Sequence, residues 1–322
     1  MFMTVSWFQL FLIVSTLFIS TIIAVIIFWS PNPRKSLESE GHYLSHDSKD
    51  PKKLPKISDK PEVFLSIIVP AYNEELRLPL LLDDIREYMT SLKNKISYEI
   101  IIVNDASKDN TVKIALEYGK KHSMPIKVKT NAINRGKGGS VTQGILSSSG
   151  EYILFCDADG ATRFSDIDVL LATSKKISAN DLSVCVGSRA FTQKVETVVH
   201  RSPLRSILQY CFHQYVYLLG VRGVKDTQCG FKLFSRAAAN LIFTQMHVEG
   251  FIFDIEVLLL ARYYNIPIAE VPVNWNEVDG SKMSIVYDSI HMALDLLAVR
   301  LNYLLGFWTI RNTNSKTEKS SI

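Results

Sequence analysis

Cysteine is scarce in this chain: four residues, at 156, 185, 211 and 229, with no Cys-x-x-Cys pair and no metal-type spacing. That excludes a zinc framework and a disulfide-stapled scaffold, and leaves reduced thiols in a core. No Asn-x-Ser/Thr sequon occurs, which with unpaired cysteines agrees with a domain on the cytosolic side. Charge of one sign is not in excess, since 36 Lys and Arg stand against 32 Asp and Glu for a formal net charge of +4. No basic tract therefore announces a nucleic-acid binder.

Charge is missing altogether from Trp7 to Trp29, WFQLFLIVSTLFISTIIAVIIFW. A hydrocarbon layer needs about 20 helical residues, so this run is long enough to cross one. A cleaved signal peptide would carry a basic residue ahead of a shorter run and a small-residue cleavage site behind it, and neither is present. No Lys or Arg precedes the run, whereas Arg34, Lys35, Lys49, Lys52, Lys53 and Lys56 follow it, which predicts an anchor with the rest of the chain in the cytosol. Residues 1–29 are read as that anchor. Residues 30–61 are polar, Pro-bearing and without apolar period, the pattern of a juxtamembrane linker whose lysines lie within reach of anionic lipid.

What the chain does have is a regular alternation. With 322 residues and 47% hydrophobic content it can bury a large core. Short apolar runs at 64–70 (FLSIIVP), 98–105 (YEIIIVND), 126–130 (IKVKT) and 151–157 (EYILFCD) read as strands. Between them Leu78, Leu81, Leu82, Ile85 and Met89 recur at helical spacing, and 109–120 and 137–147 can each supply a further helix. The pattern predicts an α/β fold, a Rossmann-like, mostly parallel sheet with covering helices, whose functional groups gather beyond the carboxyl ends of the strands.

Polar strings follow three of these strands: PAYNEE, NDASKDNT and DADG. Each alone fits a turn or a helix cap. In DADG, Asp157 and Asp159 project to the same side of an extended segment, and two carboxylates at the tip of a buried strand need a cation to share. Mg²⁺ or Mn²⁺, hard ions suited to carboxylate oxygen, answers that need. Lys137, in the Gly-rich NRGKGG opening a helix, stands where amides and helix dipole welcome a phosphate; a plain turn is the equal alternative. Arg189 in GSRA, and Arg201 and Arg205 in HRSPLRS, supply guanidinium forks suited to phosphate oxygens, or surface charge.

Taken together and in order, VPAYNEE, VNDASKDNT, NRGKGGSV, DADGAT, VGSRA, DTQCGFKLF and VNWNEVDGSKM resemble the nucleotide-sugar-dependent glycosyltransferases of the GT-A fold, family 2. The resemblance spans residues 64 to about 285 and is most similar to the eukaryotic members that glucosylate dolichyl phosphate. It implies a catalytic domain over 62–282, with UDP-glucose as donor and dolichyl phosphate as acceptor. The product would be a β-linked, lipid-borne glucose for protein N-glycosylation at the endoplasmic reticulum membrane. It assigns base and ribose to Pro70, Tyr72, Glu74 and Asp105, and sets Ser281 and Lys282 near the donor diphosphate. Ala161 stands where some family members carry a Gln, which removes that candidate metal ligand.

A lipid phosphate with a second pKa near 6 is largely ionised at neutral pH and needs cations more than a base. Its polyisoprenoid tail needs an apolar path. Residues 203–221 and 284–308 are apolar and aromatic, interrupted by Gln209, His213, Gln214, Asp288, His291, Asp295 and Arg300. They read as amphipathic helices, interfacial in the bilayer or packed on the core. The stretch 283–310 is accordingly an amphipathic helix and 311–322 a polar tail. Two other readings share these residues: transfer of mannose from GDP-mannose to the same lipid, with the sugar chosen by pocket shape, and a membrane scaffold that binds nucleotide sugar or lipid without turnover.

Overall fold

The computed structural model describes residues 6–92, 96–189, 214–215, 217, 219, 223–276, 278 and 285–310. It opens with helix α1, Trp7–Trp29, capped by Ser6: the Ser6 Oγ accepts from the Gln9 amide and the Gln9 side chain accepts from the Ser6 amide. At about 1.5 Å per residue its 23 residues span roughly 35 Å. Among the described residues it is the helix long and apolar enough to cross a membrane, and its apolar side chains face outward.

The four runs expected as strands form β3 (Val63–Ala71), β4 (Tyr98–Asn104), β5 (Ile126–Thr130) and β6 (Gly150–Cys156). They lie parallel in the order β5-β4-β3-β6. Crossovers α2 (Leu78–Ser91), α3 (Thr111–His122) and α4 (Gly136–Leu146) connect them. Alternation along β3 divides the interior: Leu65, Ile67 and Val69 pack under α2, while Ile68 packs with Val141 and Ile145 of α4.

Beyond β6 the sheet continues as β8 (Phe231–Ser235), β7 (Val184–Ser188) and β9 (Ile268–Pro272). β8 runs antiparallel to both of its neighbours. Helix α5 (Ile167–Ile177) covers one face here; α6 (Arg236–Phe243), α7 (Phe253–Tyr263) and α8 (Ile285–Leu304) cover the other. Cys156, Cys185 and Cys229 are free and buried, and burial pushes the thiols of Cys185 and Cys229 up to about 12. Cys211 lies outside the described residues.

The supposed linker is ordered. Within residues 30–61, Glu38–Gly41 form a 3₁₀ turn, and β1 (His42–Ser45) and β2 (Ser48–Lys53) form a hairpin. β1 pairs antiparallel with β5, Tyr43 opposite Lys129 and Leu44 opposite Val128. This edge hairpin carries no apolar period because it buries little side-chain surface. Its stability comes from ladder hydrogen bonds, and Leu54 and Ile57 are the apolar side chains of the segment that reach a buried position. The core-packed alternative holds for one face of α8, where Met292, Leu296 and Val299 join the core. Ile290 and Leu304 stay exposed. Residues 203–221 lie almost wholly outside the described residues.

Glu99, buried on β4, accepts from the Ser66 hydroxyl at 2.5 Å, the Ser149 amide at 2.6 Å and the Lys127 ammonium at 2.6 Å. Burial alone would raise its pKa, but Lys127 and these donors outweigh it and hold the carboxyl below its ordinary 4.5. The pair therefore adds stability above the unfolded value, and that contribution is lost as pH falls through the lower folded value. Glu99→Ala should destabilise the protein by about 3–5 kcal/mol, since it strands a partly buried ammonium. Thermal unfolding in detergent should show this loss at neutral pH and a weaker acid dependence below about pH 5 in the variant.

Candidate active site

The carboxyl ends of β4, β3 and β6 lie side by side, Ala71 opposite Asn104 and Ile68 opposite Phe155. Pro70, Tyr72, Asp105, Asp157 and Asp159 are thereby gathered on one edge of the sheet, as the strand reading required. Asp157 follows β6 directly, its amide donating to the Gly230 carbonyl at 3.0 Å. Its carboxylate meets the Lys137 ammonium at 2.7 and 3.0 Å. Burial would lower the Lys137 pKa, but Asp157, Asp254 and Asp159 together hold it above its usual value. Asp159 is pushed up from its ordinary range by burial and by the Asp157 charge, against the opposing pull of the Ala161 amide, Arg77 and Lys137.

Two crowded carboxylates, one elevated by the other, form a donor set suited to a hard divalent cation, which neutralises that repulsion. Among the described residues no group of three His, Cys, Asp or Glu could hold a metal. Mg²⁺-type sites combine one or two carboxylates with water and substrate phosphates. Beneath the pair runs a second ion pair: Lys232 of β8 donates to Asp254 of α7 and to the Cys229 carbonyl, each at 2.6 Å. Both side chains are fully enclosed, and burial raises the Asp254 pKa despite Lys232 and Lys137.

Several expected binding residues turn out to be holding the loops. Both Asp105 oxygens are engaged: Oδ1 accepts from the Asn131 side chain and the Arg135 amide, each at 2.8 Å, and Oδ2 accepts from the Gly136 amide at 2.9 Å. That carboxylate thus occupies the Arg135 and Gly136 amides at the start of α4, and Lys137 is the cation of the Gly-rich loop that meets Asp157. The glycines of that loop answer to packing. A Cβ on Gly138 would lie 2.5 Å from the Phe253 Cβ and 2.8 Å from the Gly250 carbonyl oxygen.

The Glu74 carboxylate accepts from Arg77 Nε at 2.7 Å and Nη2 at 2.6 Å. PAYNEE and NDASKDNT are stitched together. The Glu74 amide donates to Thr111 Oγ1, the Glu75 amide to Asp109, and the Lys108 amide to Asn73. Asp109 also takes the Thr111 amide, the Asx-type turn expected there. Tyr72 remains 38% exposed at this edge.

Arg189 follows β7, and its bidentate edge is closed on Asp226: Nε to Oδ2 at 2.7 Å and Nη2 to Oδ1 at 2.8 Å. Burial opposes its charge, but Asp226 outweighs it and raises the pKa. The fork expected to face an incoming phosphate therefore points at a protein carboxylate. Its cation adds to the field around Asp157. Arg201, Arg205, Ser281 and Lys282 lie outside the described residues.

Sequence reasoning missed Arg77, whose charge is felt by both Asp159 and Asp157, and the Lys232–Asp254 pair. The signal for Arg77 was its place two residues after the NEE string; a buried Lys in GFKLF and a buried Asp in FIFDIE carried no local signal. Gly230 was missed too. A Cβ there would lie 1.9 Å from Asp157 Oδ2 and 2.2 Å from its Cγ. Gly230→Ala should leave the protein folded and lower turnover at least about 100-fold by displacing Asp157, a misplacement of reacting groups of the order of an ångström. Circular dichroism alongside an activity assay checks both parts.

The family model described as glycosyl transferase family 2 matches residues 66–243. The dolichyl-phosphate β-glucosyltransferase of Dictyostelium discoideum is 46% identical over 284 residues, covering 86% of this chain and 87% of that protein. The proteins of the same name from Homo sapiens and Saccharomyces cerevisiae are 45% and 43% identical. They cover 81% and 91% of this chain, and 82% and 95% of their own length. Among solved structures, glucosyl-3-phosphoglycerate synthase from Mycobacterium tuberculosis in complex with phosphoglyceric acid aligns with a TM-score of 0.50. It is 16% identical and covers 78% of this chain and 82% of that one, a likeness of fold.

Proposed function

The chain belongs to glycosyl transferase family 2, and on that premise we propose that it transfers glucose from UDP-glucose to dolichyl phosphate with inversion, giving dolichyl β-D-glucosyl phosphate and UDP. What carries the reading is similarity along more than four fifths of the chain to proteins named for that reaction. The residue chemistry supports it. Asp157 and Asp159 would hold Mg²⁺ or Mn²⁺, which when bound supplies Lewis-acid stabilisation to the departing diphosphate. Lys137 moves its charge from Asp157 toward the diphosphate oxygens. Arg77 adds a fixed positive field at the same edge, and Tyr72 with Pro70 offers a face for the base. Ser281 and Lys282 are assigned to the diphosphate by the resemblance.

An oxygen of the ionised lipid phosphate attacks the anomeric carbon opposite UDP. The new carbon–oxygen bond forms as the bond to the β-phosphate oxygen breaks, and UDP leaves with the electron pair. No proton has to be removed, so no carboxylate base is needed. Arg201 and Arg205 orient the acceptor phosphate through their forks, and Arg189, held by Asp226, contributes through its charge. We place the protein in the endoplasmic reticulum membrane, anchored by α1, with the catalytic domain in the cytosol.

Detergent-solubilised protein assayed with dolichyl phosphate and a panel of UDP- and GDP-sugars, with and without Mn²⁺ or Mg²⁺, tests the reading. UDP-glucose with metal should be the productive pair. Preference for GDP-mannose would reassign the donor, and binding without turnover would make the protein a scaffold. Asp157→Asn and Asp159→Asn should each lower turnover by about 1,000-fold or more without unfolding the protein. The rate should fall below about pH 6 as the lipid phosphate takes up a proton, and the fall should survive substitution of any acidic residue other than the metal pair. In sealed microsomes, added protease should digest the region after Trp29; protection would put the site in the lumen.

A further inference from the structure

The segment that leaves the membrane helix is clamped onto the Gly-rich loop. Arg135 is 3% exposed at its side chain and touches three parts of the chain. Its Nε donates to Glu249 at 2.7 Å, Nη1 to the Ser36 hydroxyl at 3.3 Å and Nη2 to the Arg34 carbonyl at 2.5 Å. Its own amide donates to Asp105. Glu40, equally enclosed, answers from the other side: its carboxylate accepts from Arg34 at 2.5 Å, from the Leu37 amide at 3.0 Å and from the Ala132 amide at 2.9 Å. It lies 3.8 Å from Arg135 Nη1. The Glu40 carbonyl takes the buried Lys129 ammonium, and the Ser36 hydroxyl donates to Gln143 of α4 at 2.9 Å.

Residues 34–40 therefore grip the stretch 131–136 at Ala132 and at Arg135, and Lys137 lies two residues beyond Arg135. Buried groups with this many charge-assisted bonds are costly to misplace, since any shift leaves one of them unpaired. Such a clamp could serve the fold alone. Its position argues for more, because it ends at Arg135, two residues before the cation that meets Asp157.

We propose that Glu40 and Arg135 are positioning residues for the donor site: the segment following the membrane helix is a latch that holds the Gly-rich loop so that Lys137 is presented to the donor diphosphate beside Asp157. This rests on the reading of that site as one for a nucleotide sugar. The latch acts on the donor, whose diphosphate Lys137 meets, and not on the lipid acceptor.

Glu40→Gln and Arg135→Lys, in the full chain in detergent or nanodiscs, test this. Each should lower the affinity for UDP-glucose in the presence of Mn²⁺ about 10–100-fold, the scale seen when outer-shell orienting groups are lost, with the acceptor's apparent KM unchanged. Arg236→Lys is the control. Arg236 ties the carbonyls of Lys56 and Asp59 to those of Ser148 and Gly150 at the opposite end of the sheet, so its loss should lower Tm while leaving donor affinity intact. Hydrogen exchange gives a second measure: the amides of 131–137 should exchange faster in both latch variants without ligand. That comparison stands even if one variant is too unstable for titration. Donor affinity and loop exchange like the unaltered protein's, with Tm lowered as in Arg236→Lys, would reduce the latch to a stabilising contact. Failure of the unaltered protein to bind UDP-glucose at all would instead overturn the donor reading itself, and the latch with it.

Discussion

Charge has to balance at the tips of β6 and β8, and much of the site's construction follows from that. Asp157, Lys137, Asp254 and Lys232 alternate in sign from a partly open edge to a sealed interior. An isolated ion there would cost several kcal/mol after relaxation, so each member is tolerable because of its neighbours. The order matters as well. Lys232 and Asp254 are sealed in and already satisfy each other, whereas Asp157 and Lys137 sit at the open end of the row. Only that outer pair can exchange partners with something arriving from solvent.

The loops around this row are held by one another. Asp105 binds the start of α4, Glu74 binds Arg77, Asp226 binds Arg189, and the strings after β3 and β4 are cross-linked through Asn73, Asp109 and Thr111. A site with so many internal bonds needs little reorganisation when charge develops at the departing diphosphate, which is the condition under which fixed dipoles and cations act most strongly. Ala106, with φ at 58°, lies in the left-handed region that disfavours side chains. It is kept there by the Asp105 and Ser107 bonds on either side.

The first half of the sheet was legible because β3, β4 and β6 are buried on both faces and read as continuous apolar runs, while α2 repeats its leucines at helical spacing. The hairpin at 42–53 was not legible: its strands are polar, and β5, the partner of β1, lies more than eighty residues along the chain. The acidic pair at 157 and 159 could be read because two carboxylates at a strand tip have few other reasons to be there. Roles within the motifs were harder. Asp and Glu at 105 and 74 look like ligand contacts by type, and the sequence does not show the loop amides and the neighbouring guanidinium that they also hold. Gly138 and Gly230 show the same gap, since a sequence displays the missing side chain without the Phe253 ring or Asp157 carboxylate that forbids it.

The end of α1 is fastened to the domain it carries. Trp29 stacks on His291 with ring centres 5.1 Å apart and donates to Asp295 at 2.8 Å, and the Ser30 hydroxyl takes a bond from Asn302 at 2.7 Å. With α1 in a bilayer, the domain has little freedom to swivel or to lift away from the surface. On the proposed anchoring the mouth of the site would keep a constant height and tilt above the headgroups, and an acceptor confined to the membrane would approach it by lateral diffusion in two dimensions, already presenting its phosphate at the level where it is used.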